Sequence, residues 1–163
     1  MRSLKGFTLI EVLISMAIVL LLSVGSLVGF SQFGKRQSLN IARDALRNSL
    51  SEAKAKSQAQ VVVTNECKQS GRILVGYQIR FNTTTDPDSY TFEEVCTSGA
   101  ATLTPVVRTV SLSRDVEFVS PPATPLRFLI HPGTINSATT VTINLRSGSR
   151  TLSLQVDPGG VIK

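Results

Sequence analysis

Hydrophobic and polar positions divide this 163-residue chain into three regimes. Positions 12–30 contain no charged residue, the pattern of a helix that is apolar all round rather than on one face. Beyond Phe33 apolar residues return every three or four positions, at Leu39, Ala42, Leu46, Leu50 and Ala53 with Ser49 among them. Lys35, Arg36, Arg43, Asp44, Arg47, Glu52, Lys54 and Lys56 fill the intervals. That is the 3.6-residue period of an amphipathic helix. No proline interrupts positions 7–60, so one continuous helix of roughly 80 Å is predicted, its second half laying an apolar stripe on a globular domain.

After Gln60 the period shortens to two, and Thr, Val, Ser and Gly become frequent, which signals β-structure. Strands are predicted at 61–64, at 73–81, around 90–92 before Val95, and at 106–112, 116–119, 126–130, 141–145 and 152–156. Asp86-Pro87-Asp88-Ser89 and the stretch opened by Ser120-Pro121-Pro122 break them as turns. At the end, Val141, Ile143 and Leu145 alternate with Thr142 and Asn144, and Ser147-Gly148-Ser149 turns the chain into Leu152, Leu154 and Val156. This predicts an antiparallel hairpin with one buried face.

Positions 7–30 as helix would extend roughly 36 Å, enough to cross a hydrocarbon core of about 30 Å with some tilt. Composition agrees: only 17% of residues are charged and mean hydropathy is +0.16, where soluble domains carry about 25% charge. Arg2 and Lys5 precede the run, so the positive-inside tendency places the extreme N-terminus in the cytoplasm and the rest across the membrane. A cleaved secretory signal fits poorly, because its apolar stretch is about 7–15 residues and ends in a small-x-small site, whereas Phe30-Ser31-Gln32-Phe33 follows here. A plain signal anchor survives that comparison but has no use for Glu11, a carboxylate that costs about 2.5–3.5 kcal/mol near the middle of a membrane helix.

Gly6-Phe7-Thr8-Leu9-Ile10-Glu11, followed by an uninterrupted apolar helix, resembles the processing site of type IV pilins and type II secretion pseudopilins. The resemblance implies that a membrane-embedded prepilin peptidase cuts between Gly6 and Phe7 on the cytoplasmic side and methylates the new Phe7 amine. The leader takes Arg2 and Lys5 with it, lowering the net charge of +6 by two. It also implies that Glu11 meets the Phe7 ammonium of a neighbouring subunit, so that two charges awkward in an apolar setting neutralise each other and align each arriving protomer. The alternative is a carboxylate at the helix start favoured by the helix dipole. Further partners implied are other pilin or pseudopilin subunits, an inner-membrane assembly platform and a motor ATPase. Many members of the family carry a proline about twenty residues after the cut; this chain has Gly25 and Gly29 there, a spacing that also suits a helix-dimer face.

Phe128-x-x-His131-Pro132-Gly133, the final hairpin, and the closing Asp157-Pro158-Gly159-Gly160-Val161-Ile162 resemble the C-terminal half of minor pseudopilins of the GspH/FimT type, whose members cap pseudopili or type IV pili. Cys67 and Cys96, the only cysteines, fall in the part placed outside the cytoplasm, where thiols are usually oxidised. A disulfide is expected there, with two separately buried thiols as the alternative.

Enzyme readings lack residues. His131 is the only histidine and stands before Pro132 with no nucleophile motif around it, and neither cysteine has a carboxylate cluster at ligand spacing, so neither catalytic residues, nor a cofactor, nor a metal site is expected. Asp86 and Asp88 are two carboxylates, few for a calcium loop and sufficient for a solvated turn. Asn82-Thr83-Thr84 has the form of a glycosylation sequon. Lys+Arg 17 against Asp+Glu 11, with a pI near 9.8, permits a nucleic-acid partner. The candidate contacts are Arg146, Arg150 and Lys163, with Arg108, Arg114 and Arg127 elsewhere, although stacking aromatics are scarce.

The expected architecture is α+β and pilin-like: a leader at 1–6, a transmembrane or filament-core helix at 7–33, its amphipathic continuation at 34–60, and a β-rich head at 61–163. The expected function is a structural subunit of minor type in a type IV pilus or secretion pseudopilus, anchored in the inner membrane with its head periplasmic or extracellular. The alternatives are a DNA-binding minor pilin acting in DNA uptake, and a simple signal-anchored periplasmic β-domain.

Overall fold

The computed structural model describes residues 8–130 and 133–163, without the side chains of positions 21–31. Gly6, Phe7, His131 and Pro132 therefore lie outside the described residues, as do the side-chain surroundings of Gly25 and Gly29. Helix α1 runs Leu9–Gln58. Eight strands follow: β1 Arg72–Asn82, β2 Ser89–Ser98, β3 Ala101–Leu103, β4 Val106–Ser111, β5 Glu117–Val119, β6 Leu126–Leu129, β7 Val141–Ser147 and β8 Arg150–Val156. The chain divides into two compact units, Met1–Lys35 and Arg36–Lys163.

In the first unit the Thr8 carbonyl opens the helix by accepting from the amides of Glu11 (3.1 Å) and Val12 (3.3 Å). Among the described residues no helix is long and apolar enough to cross a membrane.

The second unit holds the core. Leu39, Ala42, Leu46, Leu50 and Ala53 form the predicted stripe and are all buried. They pack with Tyr77 and Ile79 of β1, Tyr90 and Phe92 of β2, Phe128 of β6, and Ile143, Leu145, Leu154 and Val156 of the final hairpin. One sheet has the order β3-β2-β1-β6, with β4 also pairing β2, and the other has the order β5-β7-β8; the pairings are antiparallel throughout. This is the expected α+β arrangement.

Two buried serines stand in the helical stripe because the sheet has polar groups to satisfy. The β1–β2 register shifts between Leu74 and Gly76, and there Ser57 Oγ accepts from the Tyr77 amide (3.0 Å) while donating to the Phe128 carbonyl (2.9 Å). Gly76 is required at this point, since a Cβ would lie 2.0 Å from the Phe128 carbonyl oxygen. Ser49 Oγ shares a hydrogen bond of 3.0 Å with the Tyr90 hydroxyl.

Two sequence expectations need correction. The helix ends at Gln58 rather than Gln60: Gln60 takes φ 52°, its amide bonds the Ser57 carbonyl, and the Val61 amide reaches back to Lys56. This is the paired bonding of a Schellman cap, with glutamine in the place glycine usually holds. The segment 61–64 is not a strand, because the Val63 and Thr64 amides are bound by the carboxylate of Glu94 instead of a neighbouring ladder. The short β3 was not anticipated, since three residues are too few to show alternation.

Candidate functional site

The segment that follows the expected cut is defined by what it leaves uncovered. Leu9, Ile10, Leu13, Ile14, Met16, Ile18, Val19 and Leu20 are each more than half exposed. Glu11 stands in the first turn, where the dipole favours an acid. Its carboxylate has no ion pair or hydrogen bond among the described residues; the hydrogen bond from Ser15 Oγ (2.7 Å) goes to its backbone carbonyl.

The connection between helix and sheet is held by two devices on β2. The first is the disulfide: Cys67 and Cys96 are joined, 29 positions apart, with their Cα atoms 5.8 Å apart. In the chain-entropy picture a loop of that size contributes about 3–4 kcal/mol. Reduction, or the paired Cys67→Ser and Cys96→Ser substitutions, should lower the denaturation free energy by that amount. Denaturant titration with and without reductant measures it, and coincident curves would contradict the assignment.

The second is Glu94, fully buried two residues before Cys96. Its Oε1 accepts from the Val63 amide (3.0 Å) and the Tyr77 hydroxyl (3.2 Å). Oε2 accepts from the Thr64 amide (2.8 Å) and from Thr64 Oγ1. Burial pushes the Tyr77 phenol well above its usual range, and the adjoining Glu94 charge, to which it donates, pushes it further.

Glu93, facing the other side of β2, also lies in the interior. Arg80 Nε (3.0 Å), Thr91 Oγ1 (2.8 Å) and Gln78 Nε2 donate to it, and Gln78 Oε1 in turn accepts from Arg127 Nε (3.1 Å) and Nη2 (3.0 Å). Burial alone would raise the Glu93 carboxyl, but these donors and the Arg80 charge hold it below the ordinary value of 4.5. Glu52 behaves alike: slight burial raises it, and Lys56 (2.9 Å) with Arg108 (2.7 Å) bring it lower. A carboxylate whose folded pKa lies below its unfolded one adds stability above the unfolded value, and that stability is lost as pH falls through the folded value. The melting temperature should therefore be level from about pH 7 to 5 and decline below about 4.5, with Glu93→Gln removing part of the decline. Thermal circular dichroism across that range checks this, and a rise on acidification would contradict it.

Several cations expected on an open surface are engaged. Arg108 spans Glu52, Ser49 Oγ (3.1 Å) and the Phe92 ring, 5.0 Å from its centroid. Arg127 is bound to Gln78, Arg146 pairs with Glu117 at 2.7 Å, and Lys163 Nζ stands 3.8 Å from Asp157. Arg150 has no acidic partner among the described residues, while Arg114 lines a concavity with Asp86, Asp88, Asp115 and Glu117. Asp88 has a structural task there, accepting the Phe118 amide at 2.7 Å. No group of three or more His, Cys, Asp or Glu placed to hold a metal occurs among the described residues.

The glycine-rich end meets the loop after β6. Gly160, at φ 72°, leaves no room for a Cβ, which would lie 2.4 Å from the Gly133 carbonyl oxygen and 3.5 Å from the Phe128 ring. The end of the chain then returns beside β8, with Lys163 and Gln155 exchanging backbone hydrogen bonds.

A long N-terminal helix on an antiparallel β-domain, with exposed apolar surface at the start of that helix, makes this an α+β protein. Residues 1–27 match the family model described as the prokaryotic N-terminal methylation motif, which supports placement with the type IV pilins and pseudopilins. Neither a search of curated proteins nor one of solved structures found a match.

Glu94, Glu93 and Tyr77 were not singled out from the sequence. The available signal was a pair of adjacent acids inside an otherwise uncharged strand, since a buried carboxylate must find donors.

Proposed function

We propose that the chain is a non-enzymatic, membrane-anchored subunit of minor type that assembles into a type IV pilus or type II secretion pseudopilus. The observation that supports this best is the methylation motif at 1–27 leading into a helix whose apolar side chains at 9–20 are exposed. Such surface needs lipid or the helices of other copies around it. Positions 7–33 serve first as the inner-membrane span, with the N-terminus cytoplasmic and the head periplasmic. After the cut between Gly6 and Phe7 and methylation of Phe7, the same helix enters the filament bundle, where Glu11 pairs with the Phe7 ammonium of an adjoining subunit. The peptidase, the assembly platform and the motor ATPase are the partners this reading implies. The minor-subunit reading rests on the resemblance carried by Phe128, Gly133 and the glycine-rich end, residues that lie together in the fold.

DNA capture draws less support, because Arg146 and Lys163 already have acidic neighbours. The proposal is tested in cells lacking the processing peptidase. The unprocessed chain should remain with membranes through alkaline carbonate extraction while its head is digested by protease added to spheroplasts. Release by carbonate would contradict the anchor.

A further inference from the structure

One helix face of the second unit carries a basic stripe at intervals of seven, four and seven residues: Arg36, Arg43, Arg47 and Lys54. None of these four forms an ion pair among the described residues; the acids that do are Glu52, Glu93, Glu117 and Asp157, and their partners lie elsewhere. At the Arg36 end, Arg36, Leu39 and Asn40 of α1 and Arg150, Thr151 and Leu152 of β8 enclose a concavity of about 220 Å³. Two guanidinium groups, an amide and a hydroxyl thus share one small space with two leucines.

A second observation lies beside the concavity rather than in its lining, on α1 and β7. Arg43 Nε and Ser147 Oγ are buried without any hydrogen-bond partner. Arg43 lies one helical turn beyond Leu39 and Asn40, and Ser147 is the residue paired with Arg150 across the β7–β8 hairpin. Buried donors left unmatched are rare and call for an acceptor. Guanidinium forks match the oxygens of a phosphate diester, and the leucines suit the first carbons attached to it.

We infer that this concavity binds the phosphate headgroup of an anionic phospholipid. The inference rests on the anchored reading proposed above, which sets Lys35 and Arg36 just past the apolar run. In that orientation Lys35, Arg36, Arg43 and Arg47 lie on the translocated flank, where the positive-inside tendency disfavours them. Contact with anionic headgroups gives them a use on that side. While the helix is in the bilayer, the headgroup steadies the head at the membrane surface, and extraction into a filament requires the lipid to be released.

The test uses the full chain in neutral detergent, with the melting temperature followed as short-chain phosphatidylglycerol or phosphatidylcholine is added. Phosphatidylglycerol should raise it by about 3–5 °C at saturation and phosphatidylcholine by much less. The pair Arg36→Gln and Arg150→Gln should abolish the rise and leave the unliganded melting temperature unchanged, whereas the pair Arg47→Gln and Lys54→Gln, farther along the stripe, should preserve it. Equal response to both lipids, or a response that survives Arg36→Gln with Arg150→Gln, overturns the inference. A larger response to a duplex oligonucleotide that is lost with Arg47→Gln and Lys54→Gln also overturns it, because a polyanion would use the whole stripe. A chain that retains Met1 yet shows the phosphatidylglycerol response keeps the site and loses the filament reading. One that begins at methylated Phe7 and shows no response loses the site alone.

Discussion

Replacing Glu11 with alanine should leave the chain in the membrane and lower its incorporation into filaments at least tenfold. The carboxylate is exposed and unpaired among the described residues, one turn from Leu9, Ile10, Leu13 and Ile14. Covering those side chains with neighbouring helices removes water from Glu11 too, and a buried charge without its partner costs roughly 3–5 kcal/mol. In the proposed filament that partner is the Phe7 ammonium of the next copy. Removing Glu11 strands the ammonium instead, so the loss falls on assembly and not on insertion, which an apolar helix accomplishes more easily without the acid. Quantifying the subunit in sheared filaments and in membranes separates the two steps. Equal filament content in wild type and Glu11→Ala would remove the basis for the pairing.

The head should depend as heavily on Glu94. Glu94→Ala is expected to lower its stability by about 3–5 kcal/mol, the range for breaking a buried charged network, and the melting temperature by roughly 10–20 °C. Four donors converge on this carboxylate: the Val63 and Thr64 amides, the Thr64 hydroxyl and the Tyr77 hydroxyl. Among the described residues no lysine or arginine forms an ion pair with it, so the backbone amides of the helix-to-sheet connection are its main counterpart. Glu94→Gln should recover only part of the loss, because one amide oxygen replaces two carboxylate oxygens and the amide nitrogen faces groups that donate. A fall of under about 3 °C for Glu94→Ala would show that the connection is held by the disulfide alone.

Much of the fold was legible where a single periodicity ran long enough. The stripe Leu39, Ala42, Leu46, Leu50 and Ala53 identified the buried helix face, and alternation identified β1 and the β7–β8 hairpin. The valines at 61–63 misled because they satisfy the strand pattern while their backbone is bound by a side chain some thirty residues later, which no local window contains. For the same reason Arg108 and Arg127 read as free surface cations. Their partners at Glu52 and Gln78 are brought near only by sheet and helix packing. The N-terminal motif was readable because its residues are contiguous, and the methylation-motif model matches the same stretch. Ser57 and Gly76, by contrast, derive their roles from a shift in register that appears only once β1 pairs with β2 and β6.

The measurement that bears most directly on this account is the intact mass and N-terminal peptide of the chain purified from cells with an active prepilin peptidase. The account predicts a protein that begins at Phe7 with a methyl group on its amine. A chain that still carries its first six residues would contradict it.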